Sequence, residues 1–163
     1  MNEPGQSAHY VLKSQLHPVW WRQLYRWLRL DFRRPRPDVA IDMGSEMLRA
    51  TDRSSNALVA SVSLAEVTAK PANHSRTRSD AADVVYPVLV VDVPGMQPLV
   101  IGSLALGYQD FFDGWNTRFT WRGNVPALPS ESGDPPYALL GEDWLTLADK
   151  FGLSRRLIDN ARR

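Results

Sequence analysis

The residues that could carry acid–base or metal chemistry are few and widely separated in this sequence. The three histidines are His9, His17 and His74, and none has an obvious catalytic partner nearby in the sequence. Cysteine is absent, which excludes a thiolate nucleophile, a disulfide and a cysteine-ligated zinc. No H-E-x-x-H, G-x-S-x-G, phosphate-loop or dinucleotide-binding motif occurs. The sequence therefore predicts no catalytic residue, no metal site and no cofactor.

Two pairs of carboxylates are close enough in sequence to be considered as acid–base pairs. Asp110 and Asp113 enclose two phenylalanines, which favours a turn. Asp38 and Asp42 lie in a segment of period two, so both are expected on the same solvated face of a strand. A site assembled from distant residues leaves no such local pattern, so an enzyme with an unrecognised site stays open as an alternative.

The most informative feature of the sequence is a segment rich in basic and aromatic side chains between His17 and Arg36. Six arginines and one acid fall in this segment, a local charge of +5 in a chain whose formal net charge is +1. Tryptophan suits a boundary between apolar and wet surroundings, and arginine pairs with lipid phosphates. The predicted contacts to an anionic membrane surface or a protein partner are Trp20, Trp21, Arg22, Arg26, Trp27, Arg29, Arg33, Arg34 and Arg36.

These side chains need a helix to position them, and the spacing predicts one over residues 18–34. Pro18 suits the first turn of a helix, and Pro35 ends it. Four arginines recur at spacings of four, three and four from Arg22 to Arg33, so they share one face. The opposite face is aromatic. In the alternative interpretation that face packs on the sheet and the arginines are only solvated, which is the commoner use of an amphipathic helix.

Beyond the helix, residues 38–122 alternate between apolar and polar side chains, which predicts an antiparallel sheet of about six strands. The strand at 84–93 is apolar on both faces and is therefore expected inside the sheet. Residues 69–83 are polar without periodicity and predict a mobile loop. The other predicted strands cover residues 38–43, 46–51, 57–67, 99–106 and 118–122.

The C-terminal part of the sequence supports a second hypothesis about the function. A proline-rich connection at 123–140 precedes a predicted helix at Glu142–Phe151, and Gly152 breaks it. Ala148, Gly152 and Ile158 are spaced as in a helix-turn-helix, which this segment resembles. Its recognition helix would begin at Ser154, Arg155 and Arg156 and contact DNA, so a DNA-binding regulator is one alternative. The other is a helical cap on the sheet.

Together these elements predict an α+β fold: a loose N-terminal segment at 1–17, then a single domain at 18–163. Its sheet is expected to be strongly bent or a partly open barrel, with an N-terminal amphipathic helix and C-terminal helices. From Val39 to Phe151 the order of elements resembles a bacterial pleckstrin-homology-like domain. That resemblance implies binding of lipids or proteins rather than catalysis.

The sequence also predicts where the protein works. No secretory signal is recognisable, and no apolar stretch is long enough to span a bilayer. The expected location is the cytoplasm, with peripheral association at the inner face of the membrane. A net charge of +1 argues against nucleic acid as the main partner. The sequence does not determine the oligomeric state.

Overall fold

The computed structural model describes residues 7–14, 38–78, 81–104, 116–128 and 135–162. Within these ranges the chain forms ten strands and one α-helix. Short 3₁₀ helices lie at Leu64–Glu66, Ser154–Arg156 and Asn160–Arg162. The regular elements are β1 (Ala8–Ser14), β2 (Val39–Met43), β3 (Met47–Asp52), β4 (Ala57–Ser63), β5 (Thr68–Arg78), β6 (Ala81–Asp92), β7 (Leu99–Leu104), β8 (Phe119–Trp121), β9 (Tyr137–Leu140), α1 (Gly141–Lys150) and β10 (Leu157–Asp159).

Eight of these strands form one open sheet in the order β4-β3-β2-β1-β9-β7-β6-β5. Every described pair is antiparallel except β7 and β9, which run parallel. β1 joins the two halves, because Ala8–Leu12 pair with β2 while Lys13 and Ser14 pair with β9. A separate two-stranded sheet contains β8 and β10. The fold is thus α+β, as the sequence predicts.

One contiguous hydrophobic core contains inward-facing side chains from both halves of the sheet. Trp144 of α1 is fully buried in it, and its indole Nε1–H donates to the Ile101 carbonyl at 3.0 Å. Trp121 of β8 lies beside it, with ring centroids 5.6 Å apart, and donates to the Ala72 carbonyl at 2.9 Å. Both indoles therefore satisfy their N–H groups on backbone carbonyls of the sheet.

The predicted strands at 38–43, 46–51, 84–93, 99–106 and 118–122 are confirmed with shifted bounds. β6 lies inside the sheet between β5 and β7, and both of its faces are buried. Its inner face joins the main core, whereas Tyr86 on the other face packs with Ala138 and Leu104. A polar turn follows β3. There the Asp52 carboxylate accepts the N–H and hydroxyl of Ser54, which lowers the pKa of Asp52.

Two polar segments predicted to be irregular are strands, so those predictions are wrong. Residues 8–14 were expected to be loose, but β1 pairs on both sides and buries Tyr10 and Leu12. Residues 69–83 were expected to be a loop, but most of them lie in the hairpin of β5 and β6. β5 is polar because it is an edge strand, and it tolerates Pro71 for the same reason. β1 pairs with strands that lie far away in the sequence, and β5 pairs with the strongly apolar β6. In both cases the partner strand, and not the segment's own residues, explains the strand.

The C-terminal predictions are confirmed for the first helix only. α1 matches the helix predicted at Glu142–Phe151, and Gly152 ends it with a φ of +69°. The N–H of Gly152 donates to Asp149 and that of Leu153 to Ala148, which is a Schellman cap. The predicted last helix is wrong, because the chain continues into a 3₁₀ turn and then into β10. β9, inside the predicted proline-rich connection, is a further strand that the prediction missed.

β4 departs from the predicted alternation of one buried and one exposed face. Ala50 pairs with Ala60 but Thr51 pairs with Leu58, so Val59 is an extra residue in a β-bulge. A bulge shifts the alternation by one position, which places Leu58 outside although its period predicted burial. Leu58 is 62% exposed and Val59 is 46% exposed.

Candidate functional site

A row of polar side chains crosses the outer face of the first half of the sheet. Its members occupy paired positions on neighbouring strands, and all are exposed. Pairing brings them together although they are far apart in sequence. The row contains His9 on β1, Asp42 on β2, Arg49 on β3 and Ser61 on β4.

His9 and Asp42 form the central contact of this row. The imidazole Nδ1 hydrogen bonds to the Asp42 carboxylate, so Nε2 is the ring nitrogen available to a ligand. The two side chains are 61% and 52% exposed, and water therefore screens their attraction. An aspartate-held histidine also occurs in nucleophilic triads. In this row, however, Ser61 lies two strands beyond Asp42, roughly 10 Å away and on the side opposite His9. The serine is therefore out of reach of the imidazole, and the three residues do not form a triad.

The row borders a cleft of about 490 Å³ at the end of the sheet that holds the β2–β3 turn. The turn is closed by a hydrogen bond from the Gly44 N–H to the Met47 carbonyl at 2.9 Å. Met47 is 42% exposed and supplies apolar surface beside the charged groups. The lining residues are Ser7, Ala8, His9, Asp42, Met43, Gly44, Met47 and Arg49.

Arg49 is the group in this cleft best suited to bind an anion. No ion pair joins its guanidinium to another described residue, whereas Asp42 is already engaged by His9. A guanidinium offers a planar fork of donors that matches carboxylate and phosphate groups. The cleft can therefore accept a small anionic group, but its open, screened charges offer little of the electrostatic preorganisation that catalysis requires.

The predicted membrane or partner contacts cannot be placed, because they fall outside the described residues. This applies to the whole set Trp20, Trp21, Arg22, Arg26, Trp27, Arg29, Arg33, Arg34 and Arg36, and also to the helix predicted at 18–34. The structure does define both ends of the segment that contains them. Leu12 of β1 and Val39 of β2 are paired positions, and both are buried.

The predicted DNA contacts do not begin a helix that could enter a groove. Ser154, Arg155 and Arg156 form a single 3₁₀ turn, and the Ser154 hydroxyl donates to the Asp149 carboxylate. The backbone then becomes β10, whose Asp159 pairs with Arg118 at 2.8 Å. The recognition helix on which the DNA-binding alternative depends is therefore missing from this segment.

Two further findings concern metals and membranes. In the part of the chain that the structure describes, no three His, Asp or Glu side chains are grouped closely enough to hold a metal ion. Across these same ranges, no helix has both the length and the apolar character needed to cross a membrane.

Sequence reasoning missed His9 and Arg49 as neighbours of Asp42. It correctly expected Asp42 to be solvated on a strand face, but it assigned His9 to a loose segment. A local signal was present, since Tyr10 and Leu12 alternate with His9 and Val11 as in a half-buried strand. The pairing of strands that brings His9, Asp42 and Arg49 into one row has no local signal.

Comparisons with known proteins give no relative from which a site could be transferred. The chain matches no family model, no curated protein and no solved structure.

Proposed function

We propose that the protein is a non-enzymatic interaction module that docks through its basic, Trp-rich segment, residues 18–36. The surface that this segment fits best is an anionic membrane, and a protein partner is the alternative. As part of this proposal, residues 18–34 form an amphipathic helix and the sheet is strongly bent. The protein works in the cytoplasm, at the inner face of the membrane.

One observation carries the proposal. β1 and β2 are antiparallel neighbours, yet the 24 residues from 15 to 38 connect them. Neighbouring antiparallel strands usually need a connection of only about two to five residues. A much longer connection in a compact domain is usually either a functional segment or a linker, and the concentration of arginine and tryptophan in this one favours a functional segment. The paired positions Leu12 and Val39 hold the two ends of this connection together at one place on the sheet. The long connection contains the +5 segment.

The chemistry of the segment supports a membrane surface in two separable ways. Each arginine near an anionic bilayer contributes about 1 kcal/mol, and salt screens this attraction. Tryptophan side chains at the lipid interface add an apolar contribution that salt does not screen. A protein partner with an acidic surface would use the same arginines but would not require lipid.

Co-sedimentation of the full chain with vesicles at physiological salt tests the proposal. We expect binding to vesicles containing phosphatidylserine and weaker binding to phosphatidylcholine alone. Changing Arg22, Arg26, Arg29 and Arg33 to Gln should abolish this preference. Changing Trp20 and Trp27 to Ser should weaken binding to both lipids.

A matched control keeps the change in charge but moves it to the described surface. Lys70, Arg122, Lys150 and Arg155 are all exposed and lie outside the cleft, and changing these four to Gln should leave the lipid preference intact. If the unmodified protein stays in the supernatant with both lipids, the membrane proposal is wrong. If both quadruple variants lose binding equally, the attraction depends on net charge and not on the segment.

A further inference from the structure

The outer face of the sheet, opposite the core, changes from exposed to buried along the order of strands. The row of His9, Asp42 and Arg49 is exposed. Between β2 and β5, however, a set of outward-facing side chains is at most 8% exposed. This buried outer face contains Ala40, Ala72, His74, Tyr86, Val88 and Ala138.

The elements that the structure describes do not account for this burial. α1 and β8 pack on the core side through Trp144 and Trp121, and β10 is paired with β8. Among the described residues, the hydrophobic cluster on the outer face contains only side chains of the sheet itself, Tyr86, Ala138 and Leu104. A sheet needs a second element to bury its face, and here the burial arises within a single chain. The cover is therefore sought in parts of the same chain beyond the described ranges.

Two segments beyond those ranges carry many large apolar side chains, residues 15–37 and residues 105–115. The ends of 105–115 meet beside β7, because the Asn116 N–H donates to the Ser103 carbonyl at 2.8 Å and the Asn116 amide donates to Ser103 Oγ at 3.2 Å. Ser103 alternates with the same face of β7 as Leu99 and Ile101, which belong to the core. The chain therefore returns from 105–115 on the core side of the sheet.

The ends of 15–37, by contrast, lie at the border of the buried outer face. Ala40 belongs to this face and directly follows Val39, which pairs with Leu12 at the ends of the long connection. From β2 to β5 the face crosses six strands, a width of about 24 Å at about 4.8 Å per spacing. A helix over residues 18–34 would be about 25 Å long and could reach across it.

We propose that the helix at 18–34 packs its apolar face on the buried outer face, so that the sheet is the platform for the docking segment. The sizes of the side chains are complementary. Ala40, Ala72 and Ala138 are small and leave room for large side chains from the helix. At helical spacing, the residues that face the sheet are Trp21, Leu24, Leu28 and Phe32.

This arrangement determines which side of the docking segment a partner can reach. The four arginines from Arg22 to Arg33 point away from the sheet, and Trp20 and Trp27 lie on the other flank of the helix. Both groups stay available to an anionic surface. The inference rests on the helix that the proposed function assigns to residues 18–34, and it adds the orientation in which that helix is held.

Thiol reactivity tests where the helix packs, because the chain contains no cysteine of its own. Ala138→Cys places a thiol on the buried outer face, and Ala50→Cys places one in the core. In the full chain, both thiols should react slowly with iodoacetamide. Adding Leu28→Glu should raise the rate at position 138 by about tenfold or more, because it uncovers that thiol, and should leave the rate at position 50 unchanged.

Leu30→Glu is the matched control for Leu28→Glu. It makes the same substitution two residues further along, on nearly the opposite side of a helix, and should leave both thiols protected. The milder Leu28→Ala covers the case in which Leu28→Glu unfolds the whole chain. It should speed the reaction at position 138 and not at position 50.

Two results would overturn the proposal. One is a thiol at position 138 that reacts at the same rate in all of these variants. The other is a thiol that Phe112→Glu, within 105–115, exposes while Leu28→Glu does not. No thiol measurement involves lipid, so a protein that fails to bind vesicles but shows the expected protection refutes the proposed function alone.

Discussion

The buried hydroxyl of Tyr10 is expected to lower the stability of the fold. The side chain is 4% exposed in the core, and no described group forms a hydrogen bond with its hydroxyl. A buried hydroxyl without a partner costs about 1–3 kcal/mol in lost hydration. Burial, followed by the negative charge of Asp143, raises the pKa of Tyr10 to about 12.

Replacing Tyr10 by Phe should therefore stabilise the protein. We expect the free energy of unfolding at neutral pH to rise by about 1 kcal/mol, because the substitution removes an unsatisfied polar atom and keeps the ring. Urea denaturation of both proteins measures this difference. A loss of stability on substitution would show that the hydroxyl has a partner.

The Tyr10→Phe variant also tests how the ionisation of Tyr10 makes stability depend on pH. Since the pKa of Tyr10 is raised on folding, the neutral hydroxyl is favoured in the folded state. Its contribution is complete below the unfolded pKa of about 10 and is lost as the pH rises from about 10 to about 12. The Phe variant should lose less stability across this window, and identical losses in both proteins would contradict the assignment.

At the scale of elements, α1 depends on one large side chain. Trp144 is the largest of the buried side chains of the helix, and its hydrogen bond to the Ile101 carbonyl joins the helix to β7. The sequence predicts the helix from its period, and Gly152 fixes its end. It does not predict which strand the helix packs on, because that depends on the parallel pairing of β7 and β9.

Two substitutions at Trp144 separate packing from hydrogen bonding. Trp144→Ala should cost about 3–5 kcal/mol of unfolding free energy because it leaves a cavity. Trp144→Phe keeps a ring but removes the hydrogen bond to the Ile101 carbonyl and part of the buried ring area, and should cost about 1–3 kcal/mol. Lys150→Ala, on the exposed end of the same helix, is the control and should change stability by less than about 0.5 kcal/mol. Chemical denaturation checks all three, and equal effects at the two positions would show that Trp144 does not anchor α1.

At the scale of the whole molecule, β1 connects the two halves of the sheet. Its first five residues pair with β2 and its last two pair with β9. Leu12, which is fully buried, lies next to the position where the pairing changes from one half to the other. β1 therefore joins the hydrogen-bond ladders of the two halves through a strand of only seven residues, and the two halves also share one core.

Leu12→Ala tests this role and should cost about 2–5 kcal/mol. We expect unfolding to stay a single transition, with tryptophan fluorescence and circular dichroism changing together, because one core spans both halves. Val85→Ala, at a side chain that is 43% exposed, is a suitable control of similar chemistry. Two separate transitions in the Leu12 variant would show that the halves fold independently.

Elements that depend on local patterns of residues could be predicted from the amino-acid sequence. The alternation from 38 to 51 and the apolar run from 84 to 93 indicated strands, and Gly152 marked a helix end. The +5 segment was equally readable, because charge and composition need no folding to be seen. The uncharged composition of β4 was also readable, although the bulge at Val59 was not.

Features that depend on partners distant in sequence became visible in the folded chain and not before. β5, β9 and β10 are short or polar strands that carry little hydrophobic period of their own, and they become strands because a partner strand supplies their hydrogen bonds. The row of His9, Asp42 and Arg49 follows from that order of strands. Strands pair through backbone hydrogen bonds between residues that are far apart in the sequence. The residue types within one strand therefore do not specify which strand becomes its partner.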